Sequence, residues 1–332
     1  MKKVFATLLF AVAGILSFIS CSKGGNTETS TEKEEVKESV VYMTNEITPE
    51  SLVKIYEALG VTAEGRVGVK ISTGDGKGIH ALSPDLIAPL VNNLGANIIE
   101  CNTAYAGTRH TSELHHKTIT QHGYDKIAKV DIMDEEGEIK LPIADGKHLK
   151  YDIVGSHIDN YDFIVNLAHF KGHQMAGFGG VLKNQSIGFG STNGKAYIHS
   201  AGTWEKMEDL WEKHVAAQDD FTESMAEAAK AIADKFKGKI VYIAVMNNMS
   251  IDCDCNANPA EPLIKDYGVL ASTDPVALDK ACLDIIYNME VTEDNNTKPL
   301  IERIEQQKGA HILDYAEEIG LGTQKYTIKK ID

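Results

Sequence analysis

The chain has 332 residues, of which 43% are hydrophobic, and a formal net charge of −15. This length supports a large core in one or two domains, and five cysteines are too few for a small disulfide-stabilised scaffold. The acidic excess repels phosphate backbones and anionic lipid surfaces. It therefore argues against a nucleic acid partner and against membrane attachment through a basic patch.

Residues 1–20 predict a secretory signal. Lys2 and Lys3 precede an almost uninterrupted apolar run over residues 4–19, which is the layout of an export signal. The run is shorter than the roughly 20 apolar residues of a transmembrane helix. It ends in Phe18-Ile19-Ser20-Cys21, which resembles a bacterial lipobox. We therefore expect an exported protein that is cleaved before Cys21 and anchored to a bacterial membrane through a lipid on that cysteine.

Residues 21–46 predict a flexible tether, because they are rich in Ser, Thr, Gly, Glu and Lys and contain few apolar residues. Residues 47–332 predict the folded domain. Helices are expected at 48–59, 83–94, 111–122, 203–213, 219–236, 274–288, 297–307 and 310–318. Strands are expected at 66–71, 97–101, 128–133, 151–155, 162–167, 239–246 and 326–331. This alternation predicts an α/β fold with a mostly parallel sheet and helices on both faces, as one body or as two α/β lobes.

The most informative segment follows the strand at 162–167, where His169, Lys171 and His173 come directly after an apolar run. In open parallel sheets, ligands bind outside the carboxyl ends of the strands. Residues 171–202 show no period of their own, and structureless loops of that length are usually functional. We therefore expect a ligand site at this edge of the sheet.

The candidate site residues fall into three groups, according to what their side chains can do. Histidine and lysine exchange protons with a substrate and arginine orients a carboxylate, so the catalytic candidates are Lys171, His173, Lys183 and Arg109. Polar side chains and glycine N–H groups bind anions, which gives Tyr105, His115, Gly179, Gly180, Asn184 and Lys195. Imidazole and thiolate ligands suit zinc or a similar divalent metal, which gives His169, His199, Cys253 and Cys255.

The sequence Cys253-Asp254-Cys255 leaves three interpretations open. The thiolates could bind a metal together with a histidine, the pair could cycle between dithiol and disulfide, or it could be an idle pair in a loop. A disulfide across one intervening residue is strained, and strained disulfides are labile rather than structural.

Several motifs together resemble the family known as domain of unknown function 362. They are His169-Phe-Lys171-Gly-His173, Gly177-Phe-Gly-Gly180, Leu182-Lys183-Asn184, Gly194-Lys195, Ala144-Asp145-Gly146, Asp252-Cys253-Asp254-Cys255 and Ser272-Thr-Asp274-Pro. Many members carry a ferredoxin insert, but residues 203–236 contain no cysteine here, so an iron–sulfur cluster is not expected. The family has no settled reaction, and the resemblance implies a fold more than a function.

The order of His173, Lys183 and His199 also resembles the cofactor site of nickel-pincer lactate racemase. That resemblance implies that Lys183 holds a pyridinium cofactor covalently and that His199 ligates its nickel. The leader argues against it, since Lys2 and Lys3 are typical of the ordinary export pathway, which carries unfolded chains. A cofactor assembled in the cytoplasm is then hard to carry along.

From these features we expect an enzyme that acts on a small anionic or carbonyl-bearing molecule with the help of a divalent metal or of thiols. A non-catalytic lipoprotein that binds a metal or small anion is the alternative from another class. A dithiol redox protein is a third.

Replacing the proposed lipidation site tests the first of these expectations. We expect Cys21→Ser to move the protein from the membrane fraction to the aqueous fraction, because a multiply acylated cysteine contributes roughly 0.8 kcal/mol for each buried methylene group. Detergent phase partitioning measures the change, and Cys282→Ser is the matched control. Unchanged partitioning of Cys21→Ser contradicts the lipid anchor.

Overall fold

The computed structural model describes residues 38–78 and 80–332, so the expected signal, Cys21 and most of the expected tether lie outside the described residues. The strands are β1 (Ser39–Thr44), β2 (Val67–Lys70), β3 (Asn97–Glu100), β4 (Val130–Ile132), β5 (Glu138–Pro142), β6 (Tyr151–Gly155), β7 (Phe163–His169), β8 (Lys171–His173), β9 (Gly177–Gly179), β10 (Ile240–Met246), β11 (Gly268–Ser272) and β12 (Tyr326–Lys330). The helices are α1 (Pro49–Ala58), α2 (Pro84–Asn93), α3 (Ser112–His122), α4 (Val181–Phe189), α5 (Thr192–His199), α6 (Gln218–Phe236), α7 (Pro275–Asn288), α8 (Lys298–Gln306) and α9 (His311–Glu318).

The central sheet of the described residues has the strand order β12-β1-β11-β10-β7-β2-β3-β4. β10, β7, β2, β3 and β4 are parallel to one another, and β11 is antiparallel to both of its neighbours, β1 and β10. The chain runs outward from β2 to β3 and β4, then crosses to β7 and β10 on the other side of β2. The crevice between β2 and β7 is therefore a topological switch point, where open α/β sheets bind their ligands.

Each face of the sheet packs against its own set of helices. Leu52 of α1 and Ile87 of α2 share one apolar cluster with Val69 of β2, whereas α4 to α9 contribute to a second cluster on the opposite face. Side chains alternate between the faces of a strand, so Lys70 points away from Val69 and reaches Asn184 of α4. The predicted α/β class, with a mostly parallel sheet and helices on both faces, is confirmed.

Helix ends explain why several boundaries could be predicted. Thr48 and Ser83 cap α1 and α2 through their hydroxyl groups, and a proline follows each of them.

Among the described residues, no helix combines the length and the apolar character needed to cross a membrane.

Three expectations about organisation need correction. The tether was expected to reach residue 46, but residues 39–44 form β1, which pairs with β11 and β12. Its valines and tyrosine are residue types that favour strands. Residues 171–202 are not structureless, since they contain β8, β9, α4 and α5. The helix expected at 203–213 shrinks to one irregular turn at Leu210–His214.

The described residues belong to one compact unit rather than two lobes.

The amino end of α4 is closed by a carboxylate of the protein itself. Asp279 accepts hydrogen bonds from the backbone N–H groups of Val181 (2.8 Å) and Leu182 (2.9 Å), and burial raises the pKa of its carboxyl group to about 7. The N–H groups of Val181 and Leu182 are therefore not open to a substrate anion, and anion binding by the N–H groups of Gly179 and Gly180 themselves stays a prediction. A Cβ atom on Gly180 would lie 2.2 Å from the Asp279 carboxylate.

Adjacent glycines give a matched test of this contact. We expect Gly180→Ala to lower the free energy of unfolding by about 1–3 kcal/mol, because the added methyl group overpacks a buried site. Gly179→Ala should stay within about 0.5 kcal/mol of the wild type, since its Cβ would meet Lys171 at 3.6 Å, an ordinary contact distance. Urea unfolding measures both, and equal stabilities would contradict the close approach.

Candidate functional site

A cavity of about 350 Å³ lies at the carboxyl edge of the sheet, beside the switch point. The ends of β2 and β3, the segment after β7, and helices α4 and α5 all contribute to its wall. The lining side chains with functional groups include Lys70, Glu100, Cys101, Tyr105, Arg109, His173, Lys183, Asn184, Lys195, His199 and Cys255. This volume is near the lower limit of small-molecule sites, which favours a small ligand.

Lys183 is the cavity lysine with the most altered chemistry. Burial, followed by repulsion from Lys171 and Arg109, lowers the pKa of its ammonium group to about 7. Within residues 38–78 and 80–332, its amine forms neither an ion pair nor a hydrogen bond. The shift of its pKa comes from burial and from neighbouring cations alone. The lowered pKa makes the unprotonated amine, which is the nucleophilic form, available near neutral pH.

Lys70 and Lys195 also bring amines to the cavity wall. Burial lowers the pKa of Lys70 to about 8, and its amine donates to the carbonyl of Ile71 (2.5 Å) and to the side-chain oxygen of Asn184 (3.1 Å). Lys195 donates to the carbonyl of Gly190. An ammonium group has three N–H donors, so Lys195 retains donors for an anionic ligand.

His199 is held as a neutral ring with one free nitrogen. Its Nδ1–H donates to the carbonyl of Lys195 at 2.7 Å, so Nε2 carries the lone pair. Burial lowers the pKa of this imidazole to about 4, and the ring stacks on Phe221 with centroids 4.7 Å apart. Because the ring lines the cavity, His199 can accept a proton or ligate a metal there.

His173 has the opposite arrangement of donor and acceptor. Its Nδ1 accepts hydrogen bonds from the backbone N–H groups of Met175 (3.2 Å) and Ala176 (2.9 Å). The proton of the neutral ring therefore lies on Nε2, which is 4.0 Å from Sγ of Cys255. Burial holds the pKa of this imidazole well below its usual range, so His173 acts as a neutral N–H donor toward the cavity wall.

Arg109 was expected to bind a substrate carboxylate, but carboxylates of the protein already bind its guanidinium group. Its guanidinium group binds Glu100 and Asp75 in two buried ion pairs, and Tyr105 donates its hydroxyl to Asp75 at 2.5 Å. Burial alone would raise the pKa of Glu100, but Arg109 and then His115 hold it well below its usual range. Arg109 and Tyr105 therefore shape the cavity rim, and their predicted contacts with substrate are corrected.

His115 lies behind this ion pair rather than in the cavity. It is 0% exposed, with Nε2 3.1 Å from Glu100 and Nδ1 3.2 Å from Asn102. Its predicted role in substrate binding is corrected to one of fixing Glu100.

Lys171 and His169 are also occupied by the protein. The Lys171 ammonium group donates to Asp254 at 2.7 Å, and the two ring nitrogens of His169 face Asp254 (2.9 Å) and the carbonyl of Asn247 (2.6 Å). Neither nitrogen of His169 is free to ligate a metal, and Lys171 is outside the cavity lining. The predicted metal role of His169 and catalytic role of Lys171 are corrected to anchoring Asp254.

Cys253 and Cys255 flank this anchored aspartate and are joined by a disulfide. Cys253 is 5% exposed, whereas Cys255 is half-buried and lines the cavity. Two groups of described side chains could hold a metal ion, namely His173 with Cys253 and Cys255, and His148 with Asp220 and Glu223. His199 is in neither group, so the predicted metal set of two histidines and two cysteines does not assemble.

Sequence reasoning missed Lys70, Glu100 and Trp211 at the cavity. The signal for Lys70 and Glu100 is a charged residue inside, or at the end of, an apolar strand of a parallel sheet, where both faces are normally covered. Trp211 lines the cavity from the irregular turn, with its indole N–H bound to the carbonyl of Ala104 at 2.8 Å. No local pattern marks it, because the surrounding residues predict a surface helix.

An open α/β sheet with a small cation-lined cavity at its switch point defines the class of this protein. The family model described as Domain of unknown function (DUF362) matches residues 67–284. The chain belongs to this family, as its motifs predicted.

Similarity to solved structures is distant. A protein from Thermotoga maritima shares 12% identity at a TM-score of 0.40, with 81% of this chain and 58% of that chain covered. The lactate racemase apoprotein from Thermoanaerobacterium thermosaccharolyticum shares 13% identity at a TM-score of 0.41, with 76% of this chain and 57% of that chain covered. The matched region thus spans little more than half of each of these proteins. A comparison with curated proteins gave no match.

The buried pair of Lys171 and Asp254 gives a stability prediction. We expect Lys171→Met to lower the free energy of unfolding by about 3 kcal/mol, because it leaves the buried Asp254 carboxylate without its lysine partner and with only His169 as a side-chain hydrogen-bond partner. The double variant Lys171→Met/Asp254→Asn should recover part of this loss, since it removes the unpaired charge. Urea unfolding at pH 7 measures both, and a single variant as stable as the wild type contradicts the anchoring role.

Proposed function

We propose that this protein is an enzyme that acts on a small carboxylate-bearing carbonyl compound, with Lys183 as its reactive amine. The observation that carries the proposal is an amine with a pKa of about 7 and no bonded partner among the described residues, on the wall of a small cavity. Strongly shifted lysines in cavities are typical of catalytic groups, because the unprotonated form is available at neutral pH.

The charge of the cavity favours an anionic substrate. Lys70, Arg109, Lys183 and Lys195 line it, and Glu100 is the one lining residue with a carboxylate among the described residues. Because Arg109 and His115 bind Glu100, none of these lysines has a carboxylate ion-pair partner among the described residues. A ligand carboxylate supplies one, and Lys195 has N–H donors left to bind it.

The chemistry follows from the protonation states of the two central side chains. The Lys183 nitrogen attacks the carbonyl carbon, and His199 Nε2 transfers the two amine protons in turn to the carbonyl oxygen. The carbon–oxygen bond then breaks, the oxygen leaves as water with both protons, and an imine forms. His199 suits this transfer because its Nδ1–H is bound to Lys195 and its Nε2 is unprotonated at neutral pH.

The finer parts of the proposal rest on the sequence. We place the enzyme outside the cytoplasm on a lipid at Cys21, because the leader has the layout of a lipoprotein signal. The proposal needs no divalent metal: of the three residues close enough to share an ion, namely His173, Cys253 and Cys255, the two cysteines are joined by a disulfide.

The reactivity of Lys183 can be measured without knowing the substrate. Competitive acetylation followed by mass spectrometry gives the pH dependence for each lysine. We expect labelling of Lys183 to rise with pH to a midpoint near 7, because its amine loses the proton there. Exposed Lys117 is the reference lysine in the same experiment.

Borohydride reduction in the presence of pyruvate then tests the chemistry. We expect a reduced adduct on Lys183, no adduct at that position in Lys183→Met, and an unchanged adduct in the control Lys117→Met. A labelling midpoint of about 9 or above would count against the proposal. A shifted midpoint with tight pyruvate binding and no adduct favours a non-catalytic binder instead.

A second candidate is favoured by the placement of Lys183 and His199 on one cavity wall. As the lactate racemase resemblance implies, Lys183 would hold a nickel-pincer cofactor covalently and His199 Nε2 would be the ligand to its nickel. Such a group supplies hydride-transfer chemistry. Intact mass and elemental analysis of the protein from its native host would show added mass on Lys183 together with nickel.

A further inference from the structure

The disulfide between Cys253 and Cys255 lies at the cavity wall, and its two sulfurs are not equivalent. Cys255 lines the cavity, whereas Cys253 lies behind it and is 5% exposed. We propose that this pair is a redox centre that exchanges electrons with a small anionic thiol or disulfide bound in the cavity, and that Cys255 is the sulfur that reacts. This activity uses the cavity but is independent of imine formation by Lys183.

The backbone favours Cys253 as the sulfur that leaves when the disulfide opens. The N–H group of Cys255 donates to Sγ of Cys253 at 3.1 Å. A hydrogen bond of this kind stabilises a thiolate more than a neutral sulfur. Attack on Cys255 from the cavity therefore releases a thiolate that already has a donor.

His173 provides the corresponding donor for Cys255. Because its Nδ1 accepts two backbone N–H groups, its Nε2–H points toward Sγ of Cys255, 4.0 Å away. The same protonation state argues against His173 as a metal ligand. Moving the proton to Nδ1, so that Nε2 could bind metal, would set it against the N–H groups of Met175 and Ala176. The geometry thus favours thiol chemistry over metal binding at this cluster.

Asp254, the residue between the two cysteines, is held in place by contacts with other segments. The disulfide can therefore be reduced and re-formed without a movement of the loop. The Asp254 carboxylate is held by Lys171 and His169, and its carbonyl accepts a hydrogen bond from the N–H group of Asp75 at 2.7 Å. These contacts do not involve either sulfur. A loop anchored in this way keeps both thiols near one another when they are reduced.

The reaction balances as two thiol–disulfide exchanges. In the oxidising direction, the thiolate of Cys255 attacks one sulfur of a small disulfide, forms a mixed disulfide and expels the first thiolate. The thiolate of Cys253 then attacks Sγ of Cys255, forms the intramolecular disulfide and expels the second. Two electrons pass from the protein to the small disulfide, and the two expelled thiolates take up the protons lost by the cysteines.

The cavity determines which small disulfides can react. Its lining lysines favour a partner that carries carboxylates, and clefts lined by one sign of charge raise association rates by about 10- to 1,000-fold for the opposite sign. Cys101 is an internal comparison, because it lines the same cavity but donates to the carbonyl of Phe189. Burial raises the pKa of the Cys101 thiol, so it should not react.

The test uses the full chain, reduced and then mixed with either dithiodipropionate, which is dianionic, or cystamine, which is dicationic. Release of small thiol is followed over time. We expect the dianionic disulfide to react at least about tenfold faster, and Cys101→Ser to behave as the wild type. Lys195→Met should reduce the ratio of the reaction rates with dithiodipropionate and cystamine, because it removes one positive charge from the cavity.

Single variants identify the reacting sulfur. Cys253→Ser should accumulate a mixed disulfide on Cys255 that intact mass detects, and Cys255→Ser should accumulate none, because Cys253 is shielded. Equal labelling of both variants, or no oxidation of the folded wild type by dithiodipropionate, overturns the proposal. The result for wild type is informative even if a variant does not fold, and a negative result leaves the labelling of Lys183 unaffected.

Discussion

The cavity depends on positive charge held out of water with too few carboxylates to balance it. Burial disfavours the charged form of an amine, and neighbouring cations disfavour it further. Lys183 feels both effects, which bring its pKa to about 7. The chain as a whole is acidic, so this concentration of cationic groups is local. The fold creates it by bringing β2, α4 and α5 to one edge of the sheet.

The cations divide into those that the protein neutralises and those that it leaves for a ligand. Arg109 and Lys171 are bound by carboxylates, and they hold the segments that form the cavity rim. The two sets are connected, because the carboxylate of Asp75 binds Arg109 while its backbone N–H binds the carbonyl of Asp254. The rim is therefore rigid where its charges are paired. Lys183 and Lys195, which lack carboxylate partners among the described residues, lie inside it.

The sequence allowed the α/β class and most element boundaries to be predicted, because capping residues and apolar runs are local signals. It also placed His173, Lys183, Asn184, Lys195, His199 and Cys255 at one site, which the structure brings to one cavity. The pattern could not show which polar groups are already bound. His115, Lys171 and His169 are of the same residue types as the free groups, and only tertiary partners on distant segments distinguish them.

Lys70 is the opposite case, because it lines the cavity but was not predicted as a site residue. It lies within an apolar strand. A single charge in such a strand carries little local information. Its role becomes visible only when α4 packs over β2 and Asn184 meets the amine. Likewise, the missing period of residues 171–202 reflected short strands and short buried helices, whose side chains are covered on all sides and therefore show no amphipathic pattern.

The lowered pKa values of Lys183 and Lys70 have a thermodynamic consequence for any anion that enters the cavity. An anion stabilises the protonated amines, so that its binding and their protonation are linked reciprocally. Near pH 7.5, each bound anion draws protons from the solvent, and its affinity falls as the medium becomes more alkaline. For the anionic substrate that we propose, the cavity would then be a proton-coupled receptor, and we expect calorimetry in buffers of different ionisation enthalpy to register the uptake.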